Sequence, residues 1–135
     1  MKKPKYCFAI NSYNQALEII EVCIKEKIIP ILYIKYFLIN GYGVDWLVQL
    51  NVLILKKYKS KDFSIFVDTK DNYGLFISLV EKKIKYLKTS TDNKTITRLK
   101  QIGKINKVLI NPNFSIIDLS NIKKISIKIK KILQE

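Results

Sequence analysis

Short, continuously apolar segments alternate with longer amphipathic segments, and this alternation restricts the possible folds more than any other feature. The candidate strands are short and rich in β-branched and aromatic residues: 6–10, 29–37, 63–67, 84–87 and 108–110. Between the first two, apolar residues recur at helical spacing, at Leu17, Ile20, Ile24 and Ile28. Strands without polar alternation are buried on both faces, which is typical of parallel sheets covered by helices.

The alternation predicts an α/β fold in which residues 1–135 form one domain. We expect a three-layer sandwich around a mostly parallel five-stranded sheet, with helices on both faces. Right-handed crossovers favour a flavodoxin-like or Rossmann-like arrangement with strand order 2-1-3-4-5. Helices are predicted over 13–27, 44–58, 73–83 and 95–105, with a last helix capped by Ser120. The segment from Phe114 to Leu119 is predicted to be extended.

The net charge of +14 has two possible origins. Lys, Ile, Asn, Tyr and Phe are abundant together and share AT-rich codons, which predicts lysines scattered over the surface. A polyanion-binding face is the alternative. All basic residues except Arg98 are lysines, which lack the rigid guanidinium fork that reads base edges. We therefore expect only weak, salt-sensitive binding to nucleic acid; a contiguous basic groove would favour the alternative.

Cysteine content and hydropathy indicate a cytoplasmic protein. Two isolated cysteines, Cys7 and Cys23, favour buried thiols over a disulfide framework or a metal site. The longest apolar run, 28–39, is interrupted by Pro and Lys and is shorter than a membrane-spanning helix, so no membrane contact is expected. The basic segment 1–5 is followed by too short an apolar stretch for a signal peptide. No cofactor is predicted.

Polar residues follow the predicted strands, at the sheet edge where open α/β folds bind ligands. The candidate ligand-binding residues are Asn11, Ser12, Asn40, Gly41, Gly43, Asp45, Asp68 and Asp71. In strand order 2-1-3-4-5, the first and third strands flank a crevice, so Asn11 and Ser12 are expected opposite Asp68. The Asn40–Asp45 loop is expected on the same concave edge.

Each of these positions also has a structural interpretation. Asp68 and Asp71 suit turn and helix-cap chemistry as well as a polar ligand or weak Mg²⁺ contact, with Asp71 or Asn72 as the cap. Gly41 and Gly43 suit a turn as well as a phosphate-binding loop. Both alternatives stay open at this point.

Catalytic signatures are missing from the sequence. Asp68 resembles the phosphoacceptor position of receiver domains. However, Asn11 and Ser12 stand where a receiver has its acidic pair, and Asn111 stands where it has its lysine. The chain has no histidine, and Lys35, which lies inside the most apolar strand, has no neighbour that supports Schiff-base chemistry. We therefore lean against an enzyme.

The order of landmarks resembles a family of short single-domain α/β proteins of unknown function, chiefly from alphaproteobacteria. The resemblance covers residues 6–121. It rests on Gly43-Val44-Asp45-Trp46, on the Asp68-x-x-Asp71-x-x-Gly74 spacing, and on Ile117-Asp118-Leu119. The family more often has a glycine where this chain has Lys70, and a Pro-Gly turn where it has Asn40-Gly41. The resemblance implies the fold and leaves the function open.

The sequence favours a domain that binds a small polar ligand or a partner protein at the carboxyl edge of its sheet. The first alternative is an enzyme that uses Asp68 and Asp71 as a base or as metal ligands. The second is a weak nucleic-acid-associated protein that uses surface lysines. Homo-oligomerisation is compatible with all three.

Overall fold

Six parallel strands form one open sheet in a computed structural model that describes residues 6–134. The segment 1–5, on which the signal-peptide prediction depends, lies outside the described residues. The strands are β1 (Cys7–Ile10), β2 (Ile31–Ile34), β3 (Ser64–Asp68), β4 (Tyr86–Lys88), β5 (Leu109–Ile110) and β6 (Ile116–Asp118). The helices are α1 (Tyr13–Lys25), α2 (Tyr36–Tyr42), α3 (Val44–Leu55), α4 (Tyr73–Glu81), α5 (Asn93–Ile105) and α6 (Ile125–Leu133). The α/β class and the parallel sheet are therefore confirmed.

The strand order is β5-β4-β3-β2-β1-β6, so the predicted order 2-1-3-4-5 and the count of five strands are both wrong. All four residues of β1 are buried, and such a strand needs a hydrogen-bonded neighbour on each side. In order 2-1-3-4-5 that second neighbour would be β3. Here it is β6, from the segment that sequence reasoning described only as extended.

All six helices pack against one face of the sheet. Strands β1 to β5 follow one another in space as in sequence, and right-handed crossovers then bring every connecting helix to the same side. Buried residues of each helix join one core with Phe8, Leu32 and Val67 of the strands. In the described residues, the expected helices on the opposite face are therefore not found.

The opposite face carries a second, smaller apolar cluster. Its buried members are Cys7, Ala9, Ile31, Tyr33, Phe66 and Tyr86. Since β5 and β6 form opposite edges of the sheet, their connection, residues 111–115, has to cross this face. The Phe114 ring contacts the rings of Phe66 and Tyr86 edge-on, at centroid distances of 5.7 and 5.0 Å. This crossing segment is the described cover of the second face.

Strand β2 ends earlier than its apolar sequence predicts, because α2 begins at Tyr36. Gly43 lies between α2 and α3 at φ 90°, a left-handed conformation that glycine adopts without steric cost. Within the described residues, no single helix is long and apolar enough to span a membrane. The pair α2 and α3 reaches the necessary length and composition only when taken together, with a bend of 103°.

Two local predictions have different outcomes. Cys7 and Cys23 are free and fully buried, as predicted, and burial raises the pKa of each thiol to about 12. Ser120 was expected to cap the last helix, and that prediction is wrong. Lys124 is the N-cap residue of α6, and Ser120 is buried at the end of β6.

Candidate functional site

The second face of the sheet ends in polar side chains at its carboxyl edge. Parallel pairing puts Ala9 beside Tyr33 and beside Asp118. The Asp118 side chain therefore lies on the second face, in the same row as these two residues. Asp68 lies two residues beyond Phe66 on β3, so its side chain is on the same face of the sheet. Two groups of contacts form at this edge, one around Asp118 and one around Asp68.

The first group is a polar cluster of Asn11, Gln15, Lys35, Asp118 and Ser120. Lys35 Nζ lies 2.7 Å from Asp118 Oδ2 and donates a hydrogen bond to Ser120 Oγ at 3.0 Å. Ser120 Oγ in turn donates to Asp118 Oδ1 at 2.5 Å. Since β1 separates β2 from β6, Lys35 reaches past β1 to hold the edge strand β6 in place.

The ammonium group of Lys35 controls the ionisation of Asp118. Hydrogen bonds from Lys35 first, and from Ser120 second, lower the pKa of Asp118 to about 2. The Lys35 side chain is 24% exposed and that of Asp118 is 51% exposed, so solvent reaches the carboxylate. A charged, partly open pair of this kind can still accept further hydrogen bonds.

Asn11 supplies an acceptor that has no partner. Its backbone N–H donates to Gln15 Oε1 at 2.6 Å, and Gln15 Nε2 donates to the carbonyl oxygen of Ser120 at 2.7 Å. The side-chain oxygen Oδ1 of Asn11 is buried and accepts no hydrogen bond. Buried acceptors are nearly always paired, so this oxygen is the position in the cluster that a ligand donor or a water would satisfy.

Asp68 is fixed by local structure. Its Oδ2 accepts from the Tyr33 hydroxyl at 3.2 Å, and its Oδ1 accepts from the backbone N–H of Lys70 at 2.9 Å. The residue is only 9% exposed. Burial, followed by the charge of Asp68, raises the pKa of Tyr33, which keeps the hydroxyl protonated as a donor. One carboxylate oxygen is therefore held by the turn and the other by Tyr33 of the neighbouring strand β2.

The other residues of the turn at 68–74 either have structural roles or make no described contact. Asn72, and not Asp71, is the N-cap of α4, because its Oδ1 accepts from the backbone N–H of Leu75 at 3.0 Å. Asp71 is exposed and makes no hydrogen bond or ion pair with the described residues. Lys70 has φ 47°, a left-handed conformation that suits the glycine of the resembling family.

The other candidate residues lie within helices or at helix ends. Ser12 caps α1, with its Oγ accepting from the backbone N–H of Gln15 at 3.2 Å. Asn40 and Gly41 lie within α2 rather than in a loop, where Asn40 accepts from the Tyr36 hydroxyl at 3.4 Å. Gly43 joins α2 to α3, and Asp45 is exposed in the first turn of α3.

Among these residues, only Asn11 joins the polar cluster. The expected approach of Asn11 and Ser12 to Asp68 is wrong, because β2 lies between β1 and β3. No described hydrogen bond or ion pair links Asp68 to the Asn40–Asp45 segment. The predicted crevice between β1 and β3 does not form, because it required a strand order that the chain does not adopt.

Sequence reasoning missed Lys35, Asp118 and Ser120 as site residues. Lys35 was considered only for Schiff-base chemistry, and Ser120 only as a helix cap. The available signal for Asp118 was its place in the Ile117-Asp118-Leu119 motif of the resembling family. The signal for Lys35 was a charge at the end of the most apolar strand.

Neither a metal centre nor a relative adds to this picture. The described residues contain no group of three or more His, Cys, Asp or Glu side chains able to hold a metal ion. Comparisons of the chain with models of known protein families, with curated proteins and with solved structures find no match.

Proposed function

We propose that this chain is a non-catalytic binding domain that takes a small polar ligand at the carboxyl edge of its sheet, in the polar cluster. The observation that carries the proposal is the buried, unpartnered Oδ1 of Asn11. Gln15 and Ser120 connect this residue by hydrogen bonds to the partly exposed pair of Lys35 and Asp118. An unsatisfied buried acceptor destabilises the folded protein by about 1–3 kcal/mol unless a donor satisfies it. A ligand hydroxyl or amine supplies such a donor.

The charges at the cluster favour a hydroxylated or amino-bearing ligand over a phosphate. Asn11 Oδ1 and the Asp118 carboxylate are acceptors, and Lys35 forms an ion pair with Asp118. That ion pair leaves no unpaired positive charge among the described contacts of the cluster to attract an anion. Hydroxyl and amino groups, by contrast, can donate to both acceptors.

Two features weigh against catalysis at this cluster. Lys35 Nζ and Ser120 Oγ are 3.0 Å apart, but the ammonium group is paired with Asp118 and is therefore not a free base. The Ser120 hydroxyl donates a hydrogen bond to Asp118, and the residue is only 6% exposed, so the hydroxyl is not a free nucleophile. Asp68, the base of the enzyme alternative, has both oxygens engaged, one by Tyr33 and one by the backbone N–H of Lys70.

The proposal includes a cytoplasmic location in a bacterium and membership of the resembling alphaproteobacterial family. Two buried free thiols support a reducing compartment. The family membership rests on the shared motifs alone, one of which contains Asp118. A partner protein that inserts a hydroxyl or amino group at the same cluster is the macromolecular form of this proposal.

The test is a thermal-shift screen with neutral sugars, polyols, amino acids and amines, repeated on Asn11→Ala and on the control Asn14→Ala. Asn14 is exposed on α1, three residues from Asn11. We expect a panel member that stabilises the wild-type protein and Asn14→Ala equally and loses at least tenfold in affinity for Asn11→Ala. Equal binding to both variants, or binding of anions alone, would contradict the proposal.

A further inference from the structure

The amino edge of the sheet is strongly basic, whereas the carboxyl edge is nearly neutral. In a parallel sheet every helix-to-strand connection lies at the amino edge. The connections 26–30, 56–63, 82–85 and 106–108 contain nine lysines and two acidic residues. At the carboxyl edge, the strand-to-helix connections contain four lysines and two aspartates, and the last strand residues add Lys88, Asp68 and Asp118. The expectation of evenly scattered lysines is therefore wrong for these two edges.

Two adjoining clefts lie at the amino edge, and a third continues from them along α5 and the edge strand β5; the three are together called the basic groove here. The first, of about 210 Å³, lies between the α3–β3 and α4–β4 connections, and the second, of about 540 Å³, shares Lys83 and Lys85 with it. The third, of about 500 Å³, shares Lys107 with the second. No acidic residue is among their described lining residues. The lysines that line them are Lys82, Lys83, Lys85, Lys100, Lys104 and Lys107.

Helix-end chemistry explains only part of this concentration. Lysine near a helix C-terminus is favoured by the helix dipole, and Lys82 and Lys104 are in such positions. Lys83 and Lys107, however, have φ 60° and 61°, where glycine or asparagine would be less strained. Lys85 lies beyond the helix, directly before β4. The lysines of the groove are thus not all placed by local stability.

We infer that the basic groove binds the phosphate backbone of a nucleic acid. All six of its lysines are exposed, so their ammonium groups can neutralise phosphates and release condensed counterions. Recognition is independent of base sequence, because contacts to phosphates carry no sequence information. The lysine side chains lack the paired donors that read guanine.

A nucleic acid fits the groove better than a membrane surface does. The lysines flank shallow clefts that a flexible phosphate backbone can follow, whereas a lipid surface is bound largely through projecting apolar and aromatic side chains. Against six exposed lysines, the described lining residues include three exposed large apolar side chains, Leu55, Ile105 and Leu109, and no exposed aromatic ring. Charge therefore outweighs apolar contact along the groove. Anionic vesicles therefore serve as the competing probe.

The experiment measures fluorescence anisotropy of a labelled single-stranded oligonucleotide and of the matching duplex, from about 50 to 200 mM salt. The groove variant is Lys82→Gln/Lys85→Gln/Lys104→Gln. It leaves the two lysines with positive φ unchanged, so folding is not challenged at those turns. The charge-matched control is Lys123→Gln/Lys128→Gln/Lys131→Gln, at exposed positions in or beside α6.

We expect the wild-type protein and the control to bind both probes, with a loss of at most threefold in the control. The groove variant is expected to bind at least tenfold more weakly, and its dependence of log K on log salt should be less steep by about 2 to 3. Equal losses in the two variants would show that diffuse charge is responsible and would overturn the inference. Binding to anionic vesicles without binding to either oligonucleotide would also overturn it.

A second variant, Lys83→Asn/Lys107→Asn, keeps the test decisive if the first fails to fold, since asparagine tolerates the left-handed conformation of both residues. It is expected to lose affinity in the same direction. The polar cluster lies at the opposite edge, so failure here leaves the proposed function unaffected. Failure of the small-molecule screen likewise leaves the groove unaffected.

Discussion

At the scale of single residues, the carboxyl edge contains groups with local structural roles and groups that remain open to a ligand. Asp68 has the first kind of role, since its two oxygens are used by Tyr33 and by the backbone of Lys70. Asn11 and Asp118 have the second, because one has an unpartnered oxygen and the other is half exposed. Acidic character in the sequence does not distinguish these cases, since only the three-dimensional contacts differ.

Tyr33→Phe tests the structural role of Asp68. The change leaves a buried carboxylate oxygen without its hydroxyl donor, and we expect the free energy of unfolding to fall by about 1–3 kcal/mol. The control is Tyr73→Phe, which removes an exposed hydroxyl bonded to Thr91 and should change stability by less than about 0.5 kcal/mol. Urea denaturation measures both. Equal effects would indicate that Asp68 does not depend on Tyr33.

Asp118 gives a pH-dependent contribution to stability. Its pKa in the folded protein, about 2, is below that of an aspartate in an unfolded chain, so the folded state favours the ionised form. The contribution is complete above about pH 4 and is lost as the pH falls through about 2. Since the side chain is half exposed, we expect less than about 1 kcal/mol.

The measurement is urea denaturation of the wild-type protein and of Asp118→Asn from about pH 5 to about pH 2. The stability difference between the two proteins should shrink toward the acid end. A difference that stays constant across this range would show that the ion pair with Lys35 does not stabilise the fold.

At the scale of elements, the helices and the first five strands could be predicted because they depend on local periodicity and on capping. The Ser12 cap of α1 follows from such a local pattern. Helix α2 could not, because its residues Tyr36 to Ile39 are as apolar as a strand and only packing in the core selects a helix. Strand β6 was missed as a strand because it pairs with β1, over one hundred residues away in sequence.

Gly103 tests how closely α5 packs on its following strand. A Cβ atom there would lie 2.6 Å from the carbonyl oxygen of Val108 and 2.8 Å from Ile110 Cγ1. The carbonyl oxygen belongs to the backbone and cannot shift without disturbing the neighbouring structure. Gly103→Ala is therefore expected to lower the free energy of unfolding by about 1–3 kcal/mol.

The matched control is Gly74→Ala in α4, where the nearest atom to a new Cβ is 3.7 Å away. Alanine has the higher helix propensity, so this change should be neutral or stabilising by up to about 1 kcal/mol. Thermal denaturation compares the two variants. A neutral Gly103→Ala would mean that α5 does not lie as close to β5 as the structure indicates.

At the scale of the whole molecule, the strand order determines which residues meet, and it could not be derived from one sequence. The predicted site relied on β1 and β3 flanking a crevice, yet the chain adds its strands in sequence order and closes the far side of β1 with β6. That same order puts the helices on one face and leaves the crossing segment on the other. It also collects the helix-to-strand connections, with their lysines, at one edge.

The two edges of the sheet are proposed to bind ligands of different chemistry. The direct measurement is a pair of amide chemical-shift titrations by two-dimensional NMR, one with the neutral and amino-bearing panel and one with the oligonucleotide. We expect the panel to shift Asn11, Lys35 and Ser120, and the oligonucleotide to shift residues 82–85 and 104–107. Shifts of the same residues by both probes, or panel shifts that leave the polar cluster unchanged, would contradict this proposal.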